Sequence, residues 1–409
     1  MNNREINSSA IQNPLYELPD GWKWVRLGEV CEVNPPRPKN FTRNPDAPTT
    51  FIPMSAVDEK KGTINNSQIV LYSKVAKGYT YFEENDVLFA KITPCMQNGK
   101  HIIAKNLIDG IGFGTTEFHV LRCKNIVIPE WIHYFIRQSF FLQEATAYFT
   151  GAVGQQRVPE YFLAEYIIPL PPIKDQRSIV SKIKELMQDI ERARNACERQ
   201  LEAINALPSA YLREVFESEE AKRWERKRLG EVCEIIKGKK PKVYDVRPDF
   251  GGLPYLTTEV IRYSKEPQWC LESDKNSVKV NEDEIIIITD GSNSGEIFTG
   301  YKGVLASTMG KLKIDDIKII NDYIYFFIKM NFNNLNEPKR GSAIPHLEKE
   351  IFFNLYIPLP PLKIQRRIAL KIKELMQDIE RARNACEKQL EAINALPQAI
   401  LKKAFRGEL

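Results

Sequence analysis

The chain has 409 residues, of which 43% are hydrophobic and 27% charged, and its formal net charge is +5. This length favours two or three domains, and the composition is typical of a soluble globular protein rather than a disordered one. No apolar run approaches the roughly 20 residues of a membrane helix, and the first residues lack the apolar segment of a secretion signal. The small net charge permits nucleic acid as a partner, but any strongly basic surface must be local.

The 7 cysteines are odd in number, and none of them forms a Cys-x-x-Cys pair. This pattern argues against a disulfide scaffold and against a zinc site. We therefore expect reduced thiols and a cytoplasmic localisation.

Two short segments occur twice along the chain. Residues 26–32 (RLGEVCE) recur as residues 228–234, and the proline-rich residues 168–172 (IPLPP) recur as residues 357–361. The segments that separate them share little identity between the two halves. The chain therefore alternates variable and fixed segments, which predicts two related halves in tandem.

A longer repeat follows each proline-rich segment. The 17 residues at 182–198 recur without change at 371–387. Apolar residues in and around each copy step by four and three, which is the pattern of a coiled-coil seam. The predicted seam residues are Ile179, Ile183, Leu186, Ile190, Ala193, Cys197, Leu201 and Ile204, and then Ile368, Ile372, Leu375, Ile379, Ala382, Cys386, Leu390 and Ile393. Each copy predicts a helix about 57 Å long.

Pro208 and Pro397 fall late in the two helical patterns and are expected to kink or end the helices. Two rods with the same seam most simply pack on each other as an antiparallel pair, which relates the halves by an approximate two-fold. The alternative is that each seam packs only on its own half. In the antiparallel pair Cys197 and Cys386 face each other as small apolar seam residues rather than as a redox pair.

The variable segments are predicted to mix helices and strands, with glycine, proline and asparagine between them. The predicted strands are 68–72, 86–89, 117–121, 284–289 and 311–314. The predicted helices are 129–143 and 321–329.

Convincing catalytic signatures are missing from the sequence. It has no P-loop and no Gly-x-Gly-x-x-Gly, and its 4 histidines show no metal-ligand spacing. Residues 34–37 (NPPR) resemble the Asn-Pro-Pro-aromatic loop of adenine methyltransferases, but Arg37 replaces the aromatic residue that stacks on a flipped base. Pro45 and Asp46, followed by residues 58–60 (DEK), match a nuclease pattern that arises easily by chance.

Basic residues cluster in two loops that follow the two RLGEVCE segments. Residues 37–43 (RPKNFTR) and 237–242 (KGKKPK) are suited to phosphate contacts, with a solvated charged loop as the alternative. Residues 151–157 (GAVGQQR) and 340–346 (RGSAIPH) precede the proline-rich segments. Their glycines permit close backbone approach, and glutamine and arginine can make bidentate contacts with adenine and guanine edges, although an ordinary glycine-rich turn is equally consistent.

The order of these segments resembles the specificity subunits of type I restriction–modification systems over essentially the whole chain. The resemblance rests on the two Trp-x-x-x-Arg-Leu-Gly-Glu-Val openings, the two IPLPP segments, the duplicated helices and the ending at 403–409 (KAFRGEL). Residues 89–100 (FAKITPCMQNGK) and 114–119 (GTTEFH) resemble one class of the family's target recognition domains. Residues 290–295 (DGSNSG) resemble a different class.

The family often has Glu-Gln after the paired prolines, and this chain departs from that pattern. The pair is Asp175-Gln176 in the first half and Ile364-Gln365 in the second. Asp175 keeps a negative charge near the helix N-terminus, whereas Ile364 loses it. We expect a slightly weaker start of the second helix.

The resemblance implies an α+β fold, with two mixed α/β target recognition domains joined by two long antiparallel coiled-coil helices in a pseudo-two-fold arrangement. It implies that each domain reads one half of a split, asymmetric site on double-stranded DNA. The helices set the gap between the half-sites and dock two methyltransferase subunits, which carry S-adenosylmethionine. Restriction subunits add an ATP-driven translocase and nuclease with its Mg²⁺. The chain itself is expected to be non-catalytic and to hold no cofactor or metal.

The predicted domains are 1–178 and 218–367 for target recognition, with spacer helices at 179–217 and 368–409. The candidate DNA-contacting residues, chosen by loop position and side-chain type, are Arg37, Lys39, Arg43, Lys91, Asn98, Lys100, Gln155, Gln156, Arg157, Lys237, Lys239, Lys240, Lys242, Ser292, Asn293, Lys311, Arg340 and His346.

Two other classes of function remain open from the residues alone. A self-contained methyltransferase or nuclease requires one of the partial motifs to be an active site, so that changing Asn34 or Asp46 abolishes an activity of the isolated chain. A coiled-coil adaptor that binds no DNA predicts that neutralising Lys239, Lys240 and Lys242 changes nothing.

Overall fold

The structure is a computed structural model, and it describes residues 16–152, 154–241, 252–271, 277–336 and 346–409. The chain divides into two compact units. The first unit combines Met1–Ala196 with Gln389–Leu409, and the second unit is Cys197–Lys388. No helix in the described ranges is both long enough and apolar enough to cross a membrane.

The first unit is built mainly of short strands. They are β1 (Lys23–Arg26), β2 (Cys31–Val33), β3 (Pro48–Ile52), β4 (Val57–Asp58), β5 (Thr63–Ile64), β6 (Gln68–Leu71), β7 (Thr80–Glu83), β8 (Val87–Ala90), β9 (His101–Ile103), β10 (Ile111–Gly114), β11 (Phe118–Cys123) and β12 (Ile167–Leu170). Its helices are α1 (Leu27–Val30), α2 (Tyr72–Val75), α3 (Pro129–Ile136), α4 (Ser139–Ala147), α5 (Glu160–Glu165) and the first part of α6 (Ile173–Glu217).

Two four-stranded sheets form the body of the first unit. One has the strand order β2-β11-β8-β9 with antiparallel neighbours, and the other has the order β6-β3-β10-β7, in which β3 and β10 are parallel. All residues of β8 are buried. Val87 and Phe89 belong to one apolar core and Leu88 and Ala90 to another. Because successive strand residues point to opposite faces, this continuous apolar run is covered on both sides.

The second unit contains the corresponding elements. Its strands are β13 (Arg226–Arg228), β14 (Cys233–Lys237), β15 (Gly252–Leu256), β16 (Trp269–Leu271), β17 (Lys279–Val280), β18 (Ile285–Ile288), β19 (Ile297–Phe298), β20 (Gly303–Leu305), β21 (Met309–Ile314) and β22 (Tyr356–Pro358). Its helices are α7 (Leu229–Val232), α8 (Thr258–Tyr263), α9 (Asn321–Met330), α10 (Phe332–Asn336), α11 (Lys349–Phe353) and the first part of α12 (Leu362–Phe405).

The sheets of the second unit repeat the topology of the first. Their strand orders are β14-β21-β18-β19 and β16-β15-β20-β17, and β15 and β20 are again parallel. The central strand β18 also divides its isoleucines between two cores. The internal duplication therefore extends through the variable segments, although their sequences share little identity.

The predicted secondary structure is largely confirmed. The five predicted strands are present as β6, β8, β11, β18 and β21, with small shifts of their ends. The predicted helix at 321–329 is α9. The predicted helix at 129–143 is wrong as a single element, because Arg137 and Gln138 separate α3 from α4 and Gln138 has extended backbone angles.

The two kinds of short repeat pair with each other. β1 is antiparallel to β12 and β13 is antiparallel to β22, so that each RLGEVCE opening lies against its own proline-rich segment. The amide of Leu27 then donates to the carbonyl of Tyr166 at 2.8 Å. Gly28 is required at this point, since a Cβ there would lie 2.9 Å from the carbonyl oxygen of Ala164. The repeats are therefore the structural frame that holds each variable segment.

A buried glutamine ties each proline-rich segment to the first turn of the long helix. The side chain of Gln176 bonds the amide of Ile128 (3.0 Å) and the carbonyls of Ile126 (3.0 Å) and Pro171 (2.8 Å). The side chain of Gln365 accepts from the amide of Ile320 (3.2 Å) and donates to the carbonyls of Lys318 and Pro360 (both 2.8 Å). We call each set a glutamine clamp. The two clamps make the same set of bonds, although the residue before the glutamine differs between the halves. The weaker start of the second helix, which follows from the charge lost at Ile364, stays a prediction.

The long helices α6 and α12 contain 45 and 44 residues and begin at Ile173 and Leu362, earlier than the predicted 179 and 368. Within each unit the two helix segments run antiparallel. In the second unit Cys197 Sγ lies 3.4 Å from Cys386 Sγ, while the later part of α6 shares a core with the earlier part of α12. In the first unit the start of α6 shares a core with the end of α12. The predicted pairing of the two cysteines is confirmed.

The seam is narrower than predicted. Buried positions recur every seven residues in both helices, at Ile183, Ile190, Cys197 and Ile204 and at Ile372, Ile379, Cys386 and Ile393. Ala193 and Ala382 are exposed, contrary to the prediction. A coiled-coil seam has two apolar positions in each heptad. Here one of them is buried along both helices, whereas the residues at the other are only partly covered.

The late prolines were expected to kink or end the helices, and they do not end them. Pro208 and Pro397 lie inside helices that continue to Glu217 and Phe405. Each proline removes one backbone hydrogen bond, but the apolar residues of the following turns are buried. Their burial stabilises the continued helix.

Candidate nucleic-acid interface

The candidate site of the first unit lies at one end of the β2-β11-β8-β9 sheet. The amide of Lys91, which follows β8, donates to the carbonyl of Glu117, which precedes β11, at 2.9 Å. Arg157 pairs through its backbone with Thr150 (2.9 and 3.0 Å), and the amide of Val158 donates to the carbonyl of Lys91 at 2.9 Å. The backbone therefore fixes three charged residues side by side.

Glu117 and Arg157 form a two-pronged ion pair. Nε and Nη2 of Arg157 donate to the two carboxylate oxygens of Glu117, both at 2.8 Å. This pairing lowers the pKa of Glu117 and raises the pKa of Arg157. Burial lowers the pKa of the neighbouring Lys91, and the charge of Glu117 opposes that change. The cluster thus holds a guanidinium in a fixed orientation beside a half-buried ammonium.

Asn34 organises the adjacent loop. Its Nδ2 donates to Glu160 Oε2 at 2.7 Å, and its Oδ1 accepts from the amide of Val120 at 3.0 Å. Burial lowers the pKa of His119, so the ring is neutral at neutral pH. Its Nε2 donates to the carbonyl of Val158 at 2.8 Å, and its Nδ1 therefore accepts from Asn34 at 2.9 Å. The side chain of Asn34 thus holds a turn with φ of 52°, in the left-handed region that asparagine tolerates.

The second partial catalytic motif also shapes a turn. Asp58 accepts from the amides of Lys60 and Lys61 (both 2.9 Å) and from Asn65 Nδ2 (3.0 Å). The backbone hydrogen bond from Lys61 is the largest cause of its lowered pKa. Within the described residues, no group of three or more His, Cys, Asp or Glu side chains is placed to hold a metal ion.

The basic residues of the first loop, 37–43, differ in how far their side chains are exposed. Arg37 donates to the carbonyl of Ala76 at 3.0 Å and borders an open cleft of about 450 Å³. Lys39 is exposed. Arg43 is only 10% exposed, because it bonds Thr49, the carbonyl of Pro48 and the carboxylate of Asp109. Arg37 and Lys39 are therefore available at the surface, whereas Arg43 holds its own loop.

The other candidate residues of the first unit also differ in their exposure and in their bonding partners. Lys100 donates to the carbonyls of Met54 (3.3 Å) and Val57 (3.4 Å). Asn98 and Gln155 are exposed, while Gln156 is half-buried. The structure therefore brings Gln155 and Gln156 to the Arg157 cluster and gives Lys100 an internal partner.

The second unit has a charged cluster around Asp290. Lys237 Nζ lies 2.8 Å from Asp290 Oδ2, and His346 Nδ1 lies 2.6 Å from Asp290 Oδ1. Burial acts to raise the pKa of Asp290, but the hydrogen bonds from Lys237 and His346 outweigh it and lower that pKa. The three residues line an open cleft of about 420 Å³ together with Glu348 and Glu350. Two of the predicted residues, Lys237 and His346, are thus brought together.

The remaining described candidates of the second unit do not join this cluster through side-chain bonds. Lys311 lies in β21 and pairs with Glu284 at 2.9 Å. Asn293 Nδ2 lies 3.5 Å from Ser292 Oγ in the turn that follows β18. Ser292 itself is exposed.

The second basic loop is only partly described. Lys239 and Lys240 follow β14 and are exposed. Lys242 and Arg340 lie outside the described residues, as does the rest of the segment 340–345.

The clusters of the two units occupy equivalent positions. Arg157 forms an isolated bridge with Ile92 just past the end of β8, and His346 forms one with Asp290 just past the end of β18. In both units the next residue donates its amide to the carbonyl of the residue that directly follows that strand, at 2.9 and 2.8 Å. The same backbone frame therefore presents arginine in one unit and histidine in the other.

The acidic partners of these clusters were missed among the candidate residues. Glu117, Glu160 and Asp290 each orient a cationic or amide side chain. A carboxylate repels phosphates, and its value to a cationic site appears only once the fold places it beside an arginine or lysine. Glu117 and Asp290 lie in residues 114–119 and 290–295, the segments that resemble the family's target recognition domains. That position was the sequence signal that could have identified them.

Residues 19–198 and 221–389 match the model of a protein family described as the type I restriction modification DNA specificity domain. The chain belongs to this family. The type I restriction enzyme MjaVIII specificity subunit of Methanocaldococcus jannaschii is 39% identical over 183 residues, which cover 44% of this chain and 42% of the relative. The chain spans less than half the length of the first curated relatives it matches.

Two solved structures are similar over nearly the whole chain. One comes from work on complex assembly and conformational transition of the type I R-M system, with a TM-score of 0.79, 27% identity and coverage of 96% of this chain and 100% of the other. The HsdS subunit from Thermoanaerobacter tengcongensis has a TM-score of 0.70 and 26% identity, with coverage of 97% and 99%. The predicted fold class, with two recognition domains and long antiparallel helices, is confirmed.

Proposed function

We propose that the chain is the DNA-recognition subunit of a type I restriction–modification complex and reads a bipartite, asymmetric site, one half-site with each unit. One observation carries this proposal. The same backbone frame is built twice, and it presents Arg157 beside Glu117 in one unit but His346 beside Asp290 in the other. Two units that present different side chains at the same position suit two half-sites of different sequence.

Phosphate contacts supply the affinity in this proposal, and base contacts supply the specificity. The exposed lysines Lys39, Lys239 and Lys240 lie in the two basic loops, at the surface where phosphates can approach. Lys237 pairs with Asp290, so its role is to help orient the second cluster.

Partner subunits are proposed to dock on the repeated helices. Leu207 and Leu396 occupy the same position in the two helical repeats, and both are largely exposed, at 49% and 44%. An exposed leucine repeated in this way suits two copies of one partner, which we propose to be a methyltransferase subunit. Restriction subunits join the same complex.

The chain is proposed to be non-catalytic and cytoplasmic. The side chain of Asn34 is occupied by His119, Glu160 and Val120, and Asp58 caps a turn. Both partial catalytic motifs thus have structural roles. S-adenosylmethionine, ATP and Mg²⁺ are proposed to bind the partner subunits.

A long-read methylome tests the proposal. A methylation-free host expresses the chain with the type I methyltransferase subunit from its own source, and the control host expresses that subunit alone. We expect N6-methyladenine in a split motif on both strands only when the chain is present. Replacing residues 218–367 by those of a family member with another site should change one half-site. A soluble complex that adds no methylation would refute the DNA-specificity role.

A further inference from the structure

The guanidinium of Arg157 is held so that one defined edge stays free. A guanidinium carries five N–H groups. Nε–H and one N–H of Nη2 point to Glu117, and one N–H of Nη1 points to the carbonyl of Gln155 at 2.9 Å. The carbonyl of Gln155 belongs to the main chain, so it accepts from the Nη1 hydrogen that points back along the side chain. The two outward N–H groups, one on each Nη, then lie side by side at the tip and have no partner among the described residues. The side chain is 39% exposed. The free edge is therefore a fork of two parallel donors.

The backbone beneath this fork is fixed from both sides. Arg157 pairs with Thr150 across the hairpin and bridges to Ile92 on the other side. The amide of Val158 continues the attachment to Lys91. Since both the main chain and three of the five N–H groups are already bonded, little conformational freedom remains to be lost on binding.

The fork has a specific match among the base edges of the major groove. Guanine presents two adjacent acceptors, O6 and N7, whereas adenine places a donor where guanine has O6. Two parallel N–H donors therefore bond guanine and oppose adenine.

The local charge favours a base over a phosphate. Lys91 and Arg157 are the cations of the cluster, and the carboxylates of Glu117 and Glu160 balance them. A phosphate brought to the fork would meet these two carboxylates, whereas a base edge is uncharged. The cluster is thus suited to base reading rather than to backbone positioning.

We propose that Arg157 reads a guanine through the major groove in the half-site of the first unit, and that Glu117 is the positioning residue that aims it. The inference rests on the proposed function. The equivalent residue of the second unit, His346, gives Nδ1 to Asp290 and keeps only Nε2 free. The second unit therefore does not make the same two-pronged contact, and the guanine belongs to one half-site only.

The first test uses the full chain in complex with its methyltransferase subunit and DNA carrying the motif from the methylome. Arg157→Lys keeps the positive charge but removes the fork. We expect it to lose about 10- to 100-fold in discrimination at one guanine position of the first half-site, with the second half-site unchanged. Glu117→Gln should weaken the preference at that same position. Lys105→Gln, which removes an exposed cation of the first unit outside both the cluster and the repeated helices, is the control and should leave every base preference unchanged.

The second test changes the base. 7-Deazaguanine at that position removes N7, and we expect about 10-fold weaker binding by the native complex. Inosine keeps O6 and N7 and should bind like guanine. In the Arg157→Lys complex the 7-deaza substitution should have no further effect, because the contact is already absent.

A failure of the guanine contact and a failure of the proposed function give different results in these assays. A native complex with no sequence preference refutes the proposed function. A specific native complex whose preferences survive Arg157→Lys refutes the guanine contact alone. A uniform loss of affinity at all sequences, with a shallower salt dependence, would assign Arg157 to a phosphate and also overturn it.

Discussion

The glutamine clamp of the first unit predicts a large effect of a small substitution. Gln176→Ala removes the side chain that bonds the amide of Ile128 and the carbonyls of Ile126 and Pro171. Gln176 is completely buried, so water reaches these groups only through the space that the substitution leaves. The three backbone groups then lose their partners in a nearly dry environment.

The expected loss of stability is about 3–5 kcal/mol. A buried group left without a partner costs about 1–3 kcal/mol, and one or two waters in the vacated space recover part of the total. Since a typical domain is stable by only about 5–15 kcal/mol, this loss is a large fraction of the total.

Urea denaturation followed by tryptophan fluorescence measures the loss, and amide hydrogen exchange of Ile128 localises it. Asp175→Ala changes the neighbouring residue without touching the clamp, and it should cost less than about 1 kcal/mol through the helix dipole. Gln365→Ala removes the same set of bonds in the second unit and should match Gln176→Ala. A loss below about 1 kcal/mol for Gln176→Ala would show that the clamp does not stabilise the fold.

Three further predictions concern the first unit. Gly28→Ala places a Cβ 2.9 Å from the carbonyl oxygen of Ala164, and thermal denaturation should show a loss of about 1–3 kcal/mol. An unchanged melting temperature would contradict this close approach. Burial lowers the pKa of His133 to about 3, so His133 alone should lower stability by about 2 kcal/mol from pH 7 to pH 5, as the unfolded chain takes up the proton. Urea titrations of His133→Gln should show a weaker pH dependence over that window, and an unchanged dependence would contradict the assignment. Arg43→Gln should cost about 1–3 kcal/mol in the same urea assay and leave DNA affinity unchanged, whereas weakened binding by a fully folded variant would assign Arg43 to the interface.

The elements that the sequence predicted well are those with a strong periodic or apolar signal. The two helices repeat a heptad pattern, and strands such as β8 and β18 are short continuous apolar runs covered on both faces. The failures have local causes. Late prolines did not end the helices, because burial of the following turns outweighs the lost hydrogen bond.

The candidate site was harder to predict because a cationic residue does not reveal its partner. Arg43 and Arg157 look alike in the sequence, and both lie in loops rich in small or polar residues. In the structure Arg43 is enclosed by Asp109, while Arg157 is aimed by Glu117 and keeps a free edge. Each acid is distant along the chain from its arginine, so only the fold distinguishes a residue that closes a loop from one that faces a ligand.

The division of the chain into units also fixes the order in which they are completed during synthesis. The core of the first unit includes Leu401, Ala404 and Phe405, and the ring of Phe405 lies 4.4 Å from that of Trp131. A ribosome makes these residues only after all of Cys197–Lys388. The second unit is therefore complete while the surface around Trp131 is still uncovered. A chain that stops after Lys388 would carry a complete second unit, whereas its first unit would lack Leu401, Ala404 and Phe405 from its core. The last turns of α12 therefore decide whether the first unit is complete.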